Sequence, residues 1–307
     1  MGGLVVIGLA PIIAARETEA IMSSAEQRIR QQLGDFIPDD LGASLMSVDA
    51  IESLTVDDST VHARIVLGFP IDGIRDELAA QIREHLSEVL EGRELVLDLE
   101  AKIIPHRAQN SLPAMDQVAN VIAIASGKGG VGKSTTAVNL ALALKADGAT
   151  VGLLDADIYG PSQPTMLGIS PDQRPEVREQ KFFLPIEAHG LQTMSMGYLV
   201  TDKTPMVWRG PMVSGAFTQM INQTIWQSLD YLIIDMPPGT GDIQLTLSQQ
   251  VPVSGSIIVT TPQDIALLDA KKGIEMFRKV NIPCLGIVEN MSTHICSQCG
   301  HEEAIFG

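Results

Sequence analysis

One stretch restricts this chain more than any other: Gly127-Lys128-Gly129-Gly130-Val131-Gly132-Lys133-Ser134-Thr135. Gly127, Gly132, Lys133 and Ser134 occupy the fixed places of G-x-x-x-x-G-K-[ST]. The apolar run Val121–Ala125 precedes the loop, and a helical pattern from Thr136 to Ala146 follows it. Strand, glycine loop and helix in that order form a phosphate cradle. Glycines let successive backbone N–H groups converge on one anion, and the helix adds its positive N-terminal end. Lys133 is expected along the β- and γ-phosphates, with the Ser134 hydroxyl on Mg²⁺. Thr135 completes the cofactor-binding run.

The rest of the chain agrees with a large α/β domain. Runs at Val151–Leu154, Gln192–Met196, Tyr231–Ile234, Ser256–Thr260 and Cys284–Val288 read as strands, with helical segments between several of them. Such alternation predicts a doubly wound, mainly parallel sheet with ligands at the C-terminal strand ends. This P-loop NTPase domain spans residues 118–307. Residues 108–117 form a linker within a proline-bearing stretch that breaks every period.

Residues 24–107 read as a small α+β domain. Helices are expected at Glu26–Leu33 and Ile74–Leu90, and strands at Ser47–Thr55, Val61–Leu67 and Glu94–Ile103. Ile74, Leu78, Ile82, Leu86 and Leu90 recur at helical spacing. His62, His85 and His106 are scattered singly and read as surface or locally satisfied histidines. Residues 1–23 are an apolar extension. Its run Leu4–Ala15 is too short to span a bilayer, so no stable membrane insertion is expected, and Met22 is a candidate initiator.

A net charge of −16 over 307 residues opposes binding to a phosphate backbone, so no nucleic-acid partner is expected. Three cysteines, Cys284, Cys296 and Cys299, are too few for a disulfide framework and fit a reducing cytoplasm. Cys284 lies in an apolar run and reads as a buried core cysteine.

Two acidic stations follow strands. Asp155-Ala156-Asp157 comes directly after one strand, which puts both carboxylates at the sheet edge beside the phosphates. Asp235 ends the run Leu232–Ile234 and opens Met236-Pro237-Pro238-Gly239, an acid placed at a strand end near Mg²⁺. No N-K-x-D sequence for guanine is present, which favours ATP. Cys296-Ser297-Gln298-Cys299 is a second constellation: it can ligate one edge of a metal, act as a redox pair or stay idle. With His294 and His301 beside it, zinc is one candidate, while two cysteines from each of two subunits supply the four thiolates of a [4Fe–4S] cluster.

Asp155–Ser162, Trp208–Met212, Asp235–Asp242, Thr260–Asp264 with Asp269–Lys271, Glu289–Ser292 and Cys296–His301 together resemble the Mrp/ApbC iron–sulfur carrier ATPases of the deviant Walker A, MinD-like group. That resemblance implies ATP hydrolysis and a homodimer that binds a [4Fe–4S] cluster on Cys296 and Cys299 and passes it to apo-proteins, with cluster scaffold proteins as further partners. It implies that Lys128, the extra lysine of the group, reaches the partner subunit's nucleotide. Asp157 would orient the attacking water, with Asp155 and Asp235 around Mg²⁺ through water. Asn290 would contact adenine or cap its loop. The small domain is similar to one that precedes such ATPases. Relatives that occur alone carry a cysteine after the second strand; Leu67–Asp72 has none, so a docking or structural role is expected. Family members continue past the stretch that ends here at Gly307, so the expectation is a chain truncated at its C-terminal end. The alternative is a MinD/ParA-like positioning protein, which would call for a terminal amphipathic helix or a basic patch. A zinc-stabilised NTPase scaffold is the third reading.

Overall fold

A computed structural model describes residues 23–39, 41–106, 112, 115–157, 160–199, 210–239 and 242–306. The apolar extension with Met22, most of the linker, Ile158-Tyr159, Trp208-Arg209 and Thr240-Gly241 lie outside the described residues. The chain divides into two compact units, one of residues up to Ile65 with Leu78–Asp98, the other of Val66–Glu77 with Leu99 onward.

The first unit is built on α1 (Ser24–Asp35), β1 (Ile51–Val56) and the greater parts of β2 (Thr60–Leu67), α2 (Arg75–Leu86) and β3 (Glu94–Ala101). Ser23 caps α1, its hydroxyl accepting from the Glu26 N–H at 3.1 Å. The strands form one sheet in the order β1-β2-β3, with β1 and β2 antiparallel. Ile29, Leu33, Leu54, Ile65, Ile82 and Leu86 are among its buried side chains. Two elements of this unit differ from the sequence expectation by more than two residues at one end. Residues 44–49 form turns rather than the start of β1, and Asp49 has φ 53°. Helix α2 stops at Leu86 because a turn follows, leading to the left-handed backbone of Glu91 and Gly92.

The second unit opens with β4 (Val118–Ala125), α3 (Lys133–Ala146), β5 (Val151–Asp155) and the short α4 (Gln163–Met166). Four short strands follow: β6 (Val177–Arg178), β7 (Phe182–Phe183), β8 (Ile186–Ala188) and β9 (Leu191–Ser195). The remainder comprises α5 (Gly210–Gln223), β10 (Leu229–Asp235), α6 (Asp242–Gln250), β11 (Gly255–Thr260), α7 (Asp264–Lys279), β12 (Cys284–Glu289), β13 (Thr293–Ile295) and β14 (Glu302–Ala304). Seven strands make the central sheet in the order β12-β11-β4-β10-β5-β9-β8, parallel throughout except at the β8–β9 edge. Its inner strands are near-continuous apolar runs because both faces are covered. Ile233, Ile234, Leu153 and Leu154 have no exposed surface.

Cys284 differs from the sequence expectation of a buried core cysteine. Among the described residues its strand β12 pairs only with β11, at the sheet edge, and the cysteine is exposed, its thiol donating to the Gly286 carbonyl at 3.4 Å. An apolar sequence does not reveal whether a strand ends up inside or at the rim.

Two strand glycines have opposite surroundings. A Cβ on Gly152 would lie 2.5 Å from Leu229 Cδ1 and 3.2 Å from Trp226, whereas one on Gly286 would meet nothing within 4 Å. Gly152→Val is therefore expected to lower stability by about 1–3 kcal/mol, or more, through overpacking. Gly286→Val should leave the melting temperature unchanged or slightly raised. Thermal melts of both variants check this.

Candidate nucleotide and thiol sites

Pairing register builds the first site. Asp235 lies opposite Asp155 across β10 and β5, and Asp155 lies opposite Ser195 across β5 and β9. Adjacent strands run about 4.8 Å apart, so the two acids are held side by side at the strand ends regardless of their mutual repulsion. Both are fully buried. The phosphate loop Gly127–Ser134 leaves β4 beside them, and Gly130 and Gly132 adopt the left-handed backbone, φ 78° and 85°. Gly127 does not. A Cβ there would come within 2.5 Å of the Asp269 backbone in α7, so this glycine is required by close helix approach.

Helix α3 begins at Lys133, three residues earlier than the periodicity predicts, because the Thr136 N–H and hydroxyl both bond the Gly132 carbonyl. Lys133 is 6 % exposed. Its ammonium donates to Asp235 Oδ1 and to Ser134 Oγ (3.2 Å), and Asp157 Oδ2 stands 3.9 Å away. Asp155 is held by four donors: Asp157 N–H, Ser162 N–H, Gln163 N–H and the Ser195 hydroxyl, at 3.0–3.1 Å. Burial first, and the neighbouring Asp235 charge second, push its carboxyl up to about 7. A groove of about 200 Å³ lies over this cluster, lined by Gly129, Gly130, Gly132, Lys133, Ser134, Thr135, Asp157 and Ser162.

Three carboxylates beside one lysine suit a hydrated divalent cation. Among the described residues no group of three or more His, Cys, Asp or Glu is placed to ligate a metal directly. A Mg²⁺ held by a serine hydroxyl, phosphate oxygens and water needs no such cage, so the donor set fits.

Asn290 serves the loop itself. Its Nδ2 donates to the Val131 carbonyl at 2.9 Å, and its backbone N–H bonds Thr260 O at 2.8 Å. Lys128 reaches sideways to Gln263 Oε1 at 2.9 Å, at the start of α7. It lines a cavity of about 800 Å³ with Gln263, Asp264, Ile265, Ile305 and Phe306. Gln163 and Gln244 are the residues that motif reading misses. Gln244 is 1 % exposed and donates to the Pro237 and Gly239 carbonyls, supporting the turn after Asp235. Both glutamines sit just beyond an acidic motif, and nothing in their spacing reveals that they are buried.

The second site is a hairpin. Strands β13 and β14 pair antiparallel and carry Cys296 and Cys299 in their connection. Cys296 N–H bonds the His301 carbonyl and Gly300 N–H bonds the Cys296 carbonyl, both at 2.9 Å. Gly300 takes φ 72° to close the turn. Backbone N–H groups of Gln298, then Cys299, then the Cys299 thiol hold the Cys296 thiol below its ordinary range. That favours the thiolate a metal requires. His294 and His301 do not join the cysteines in a four-ligand site among the described residues. One chain therefore offers two sulfurs.

A family profile described as ParA: NUBPL iron-transfer P-loop NTPase matches residues 117–307. An iron-sulfur cluster carrier protein of Pseudomonas fragi is 67 % identical over 211 residues, covering 69 % of this chain and 74 % of the relative. The iron-sulfur cluster carrier protein of Escherichia coli K12 is 54 % identical over 275 residues, 90 % of this chain and 74 % of the relative. Among solved structures, a nucleotide-binding protein from Archaeoglobus fulgidus in complex with ADP aligns with a TM-score of 0.55 at 36 % identity. That alignment covers 63 % of this chain and 75 % of that one. Among the described residues no helix is long and apolar enough to cross a membrane.

Because the Asp155 carboxyl is raised, it stabilises the fold fully below the unfolded value of 3.8 and loses that contribution as pH rises through about 7. Without nucleotide, the melting temperature of the wild-type chain should therefore fall relative to Asp155→Asn between about pH 4 and about pH 7 and level off above that. A difference independent of pH would show a carboxylate ionised throughout.

Proposed function

Since the chain belongs to the NUBPL iron-transfer P-loop NTPase family, we propose that it binds and hydrolyses ATP and carries a [4Fe–4S] cluster at the interface of a homodimer, passing it to apo-proteins in the cytoplasm. The observation that carries this reading is the Cys296–Cys299 hairpin: a thiol pair with one member biased toward thiolate, insufficient alone for a four-coordinate metal. The cysteines and the phosphate loop belong to one compact unit. The names of the relatives support the cargo.

In this reading ATP supplies the phosphoryl group, and the chain's residues bind and orient it. Backbone N–H groups of Gly127–Thr135 and the Lys133 ammonium receive the phosphates. Ser134 Oγ would hold Mg²⁺, with Asp155 and Asp235 acting through its waters, and the ion would neutralise charge on the phosphates. Asp157, 15 % exposed in its side chain, is the carboxylate that orients the attacking water. Lys128 would leave Gln263 for the partner subunit's nucleotide. Asn290, now bonded to the Val131 carbonyl, would contact the base. Residues 24–107 serve as a docking or structural domain joined through 108–117, and cluster scaffold proteins are the proposed donors.

Anaerobic reconstitution with iron and sulfide, with and without ATP, tests the reading. The expected product absorbs in the visible and contains about four iron atoms per two chains. Cys296→Ala should abolish the cluster while leaving the thermal melt unchanged. A strictly monomeric product, or tightly held stoichiometric zinc, would overturn the carrier role. Lys133→Ala should abolish ATP turnover and cluster transfer driven by ATP, at least a hundredfold in rate, roughly the loss expected on removing a major transition-state charge partner. Steady-state phosphate release measures it.

A further inference from the structure

Two buried polar atoms beside the acidic pair find no hydrogen-bond partner among the described residues: Gln163 Oε1 and Ser162 Oγ. Gln163 is 1 % exposed. An orphaned carbonyl oxygen inside a protein costs about 1–3 kcal/mol, so a buried glutamine normally uses both ends of its amide. Here only one end is used. Nε2 donates to the Ser134 carbonyl and to Asp235 Oδ2, each at 2.9 Å. Both partners are acceptors, which fixes the orientation of the amide: turned over, it would set oxygen against two oxygens. Oε1 shares one carbon with Nε2, so it lies within the same cluster.

The backbone of this residue is anchored there too. Ser162 N–H and Gln163 N–H both donate to Asp155 Oδ2. Gln163 thus touches the phosphate loop at Ser134, the strand-end acid Asp235 through its side chain, and Asp155 through its backbone. It joins three stations that the motifs specify separately. By bonding Oδ2 it leaves Oδ1 of Asp235 for the Lys133 ammonium. The amide nitrogen and the backbone N–H are thus both spent on acceptors of this cluster: two carboxylates and a main-chain carbonyl. A carboxylate fixed in this way can accept from the waters of a hydrated divalent ion without first having to reorient.

From this geometry we infer that Gln163 is a positioning residue of the Mg²⁺–nucleotide site, its Nε2 holding the Asp235 carboxylate against the phosphate loop at Ser134 so that Asp235 faces the ion's waters in a fixed orientation. The inference rests on the nucleotide half of the proposed function and is independent of the cluster.

Its test is binding. The affinity of the full chain for fluorescent N-methylanthraniloyl-ADP is measured in excess EDTA and in excess Mg²⁺. Gln163→Leu should reduce the Mg²⁺ enhancement about tenfold, the effect of one hydrogen bond to a charged group, and leave affinity in EDTA unchanged. Loss of affinity in both conditions would mark a merely structural role and overturn the inference, as would an enhancement equal to that of wild type. Should Gln163→Leu show no cooperative melt, Gln163→Met, unbranched and similar in volume, takes its place. If neither folds, Gln163 is a folding residue and the inference fails. A wild-type chain without any Mg²⁺ enhancement would overturn the ATPase reading itself, an outcome separate from one in which only the variant matches wild type.

Discussion

Lys133 carries a charge that sits almost out of water, and its neutralisation sets the terms for everything around it. A buried ammonium without a partner costs several kcal/mol, so Asp235 must lie where it does. Parallel register then brings Asp155 alongside, because the two residues are paired across adjacent strands. One lysine does not balance both. The excess negative charge is visible in Asp155, whose carboxyl is pushed up to about 7 by burial and by Asp235 even with four donors around it. Such a cluster is stable as a protein interior only by drawing protons or cations toward itself.

Close packing holds the loop over that cluster. Helix α7 passes Gly127 at a distance no side chain would permit, and Asn290 after β12 clips the loop at Val131. A Cβ on Gly132 would fall 2.2 Å from the same Asn290 amide. The glycines are therefore constrained in two ways, Gly130 and Gly132 by backbone angle and Gly127 and Gly132 by a neighbour, so that Gly132 meets both. Lys128 leans on Gln263 at the start of α7, in a cavity that Ile305 and Phe306 also line. Those two residues follow directly on β14, so the strand closing the cysteine hairpin leads into the wall that Lys128 shares. Lys128 and the residues that follow the hairpin thus line one cavity at the start of α7.

Much of this was legible because apolar runs and glycine motifs are local. The inner strands and the α/β order follow from continuous apolar segments, and the acids at Asp155 and Asp235 from their place after such segments. Boundaries failed where long-range packing chose them. Strand β1 starts later than its sequence pattern predicts because residues 44–49 form turns, and Cys284 is exposed because β12 is a rim strand. Gln163 and Gln244 escaped notice because a buried glutamine looks, in sequence, like any surface one.

Residue type and spacing alone determined that this chain makes a phosphate loop after a buried strand, supplies carboxylates at strand ends and offers a pair of thiols, since each is a property of a few consecutive residues. Which acids face each other, which amide ties them to the loop, and why Gly127 tolerates nothing larger were decided by tertiary structure. Those relations join strands and helices far apart in the chain, and only sheet register and helix packing bring them within hydrogen-bonding distance.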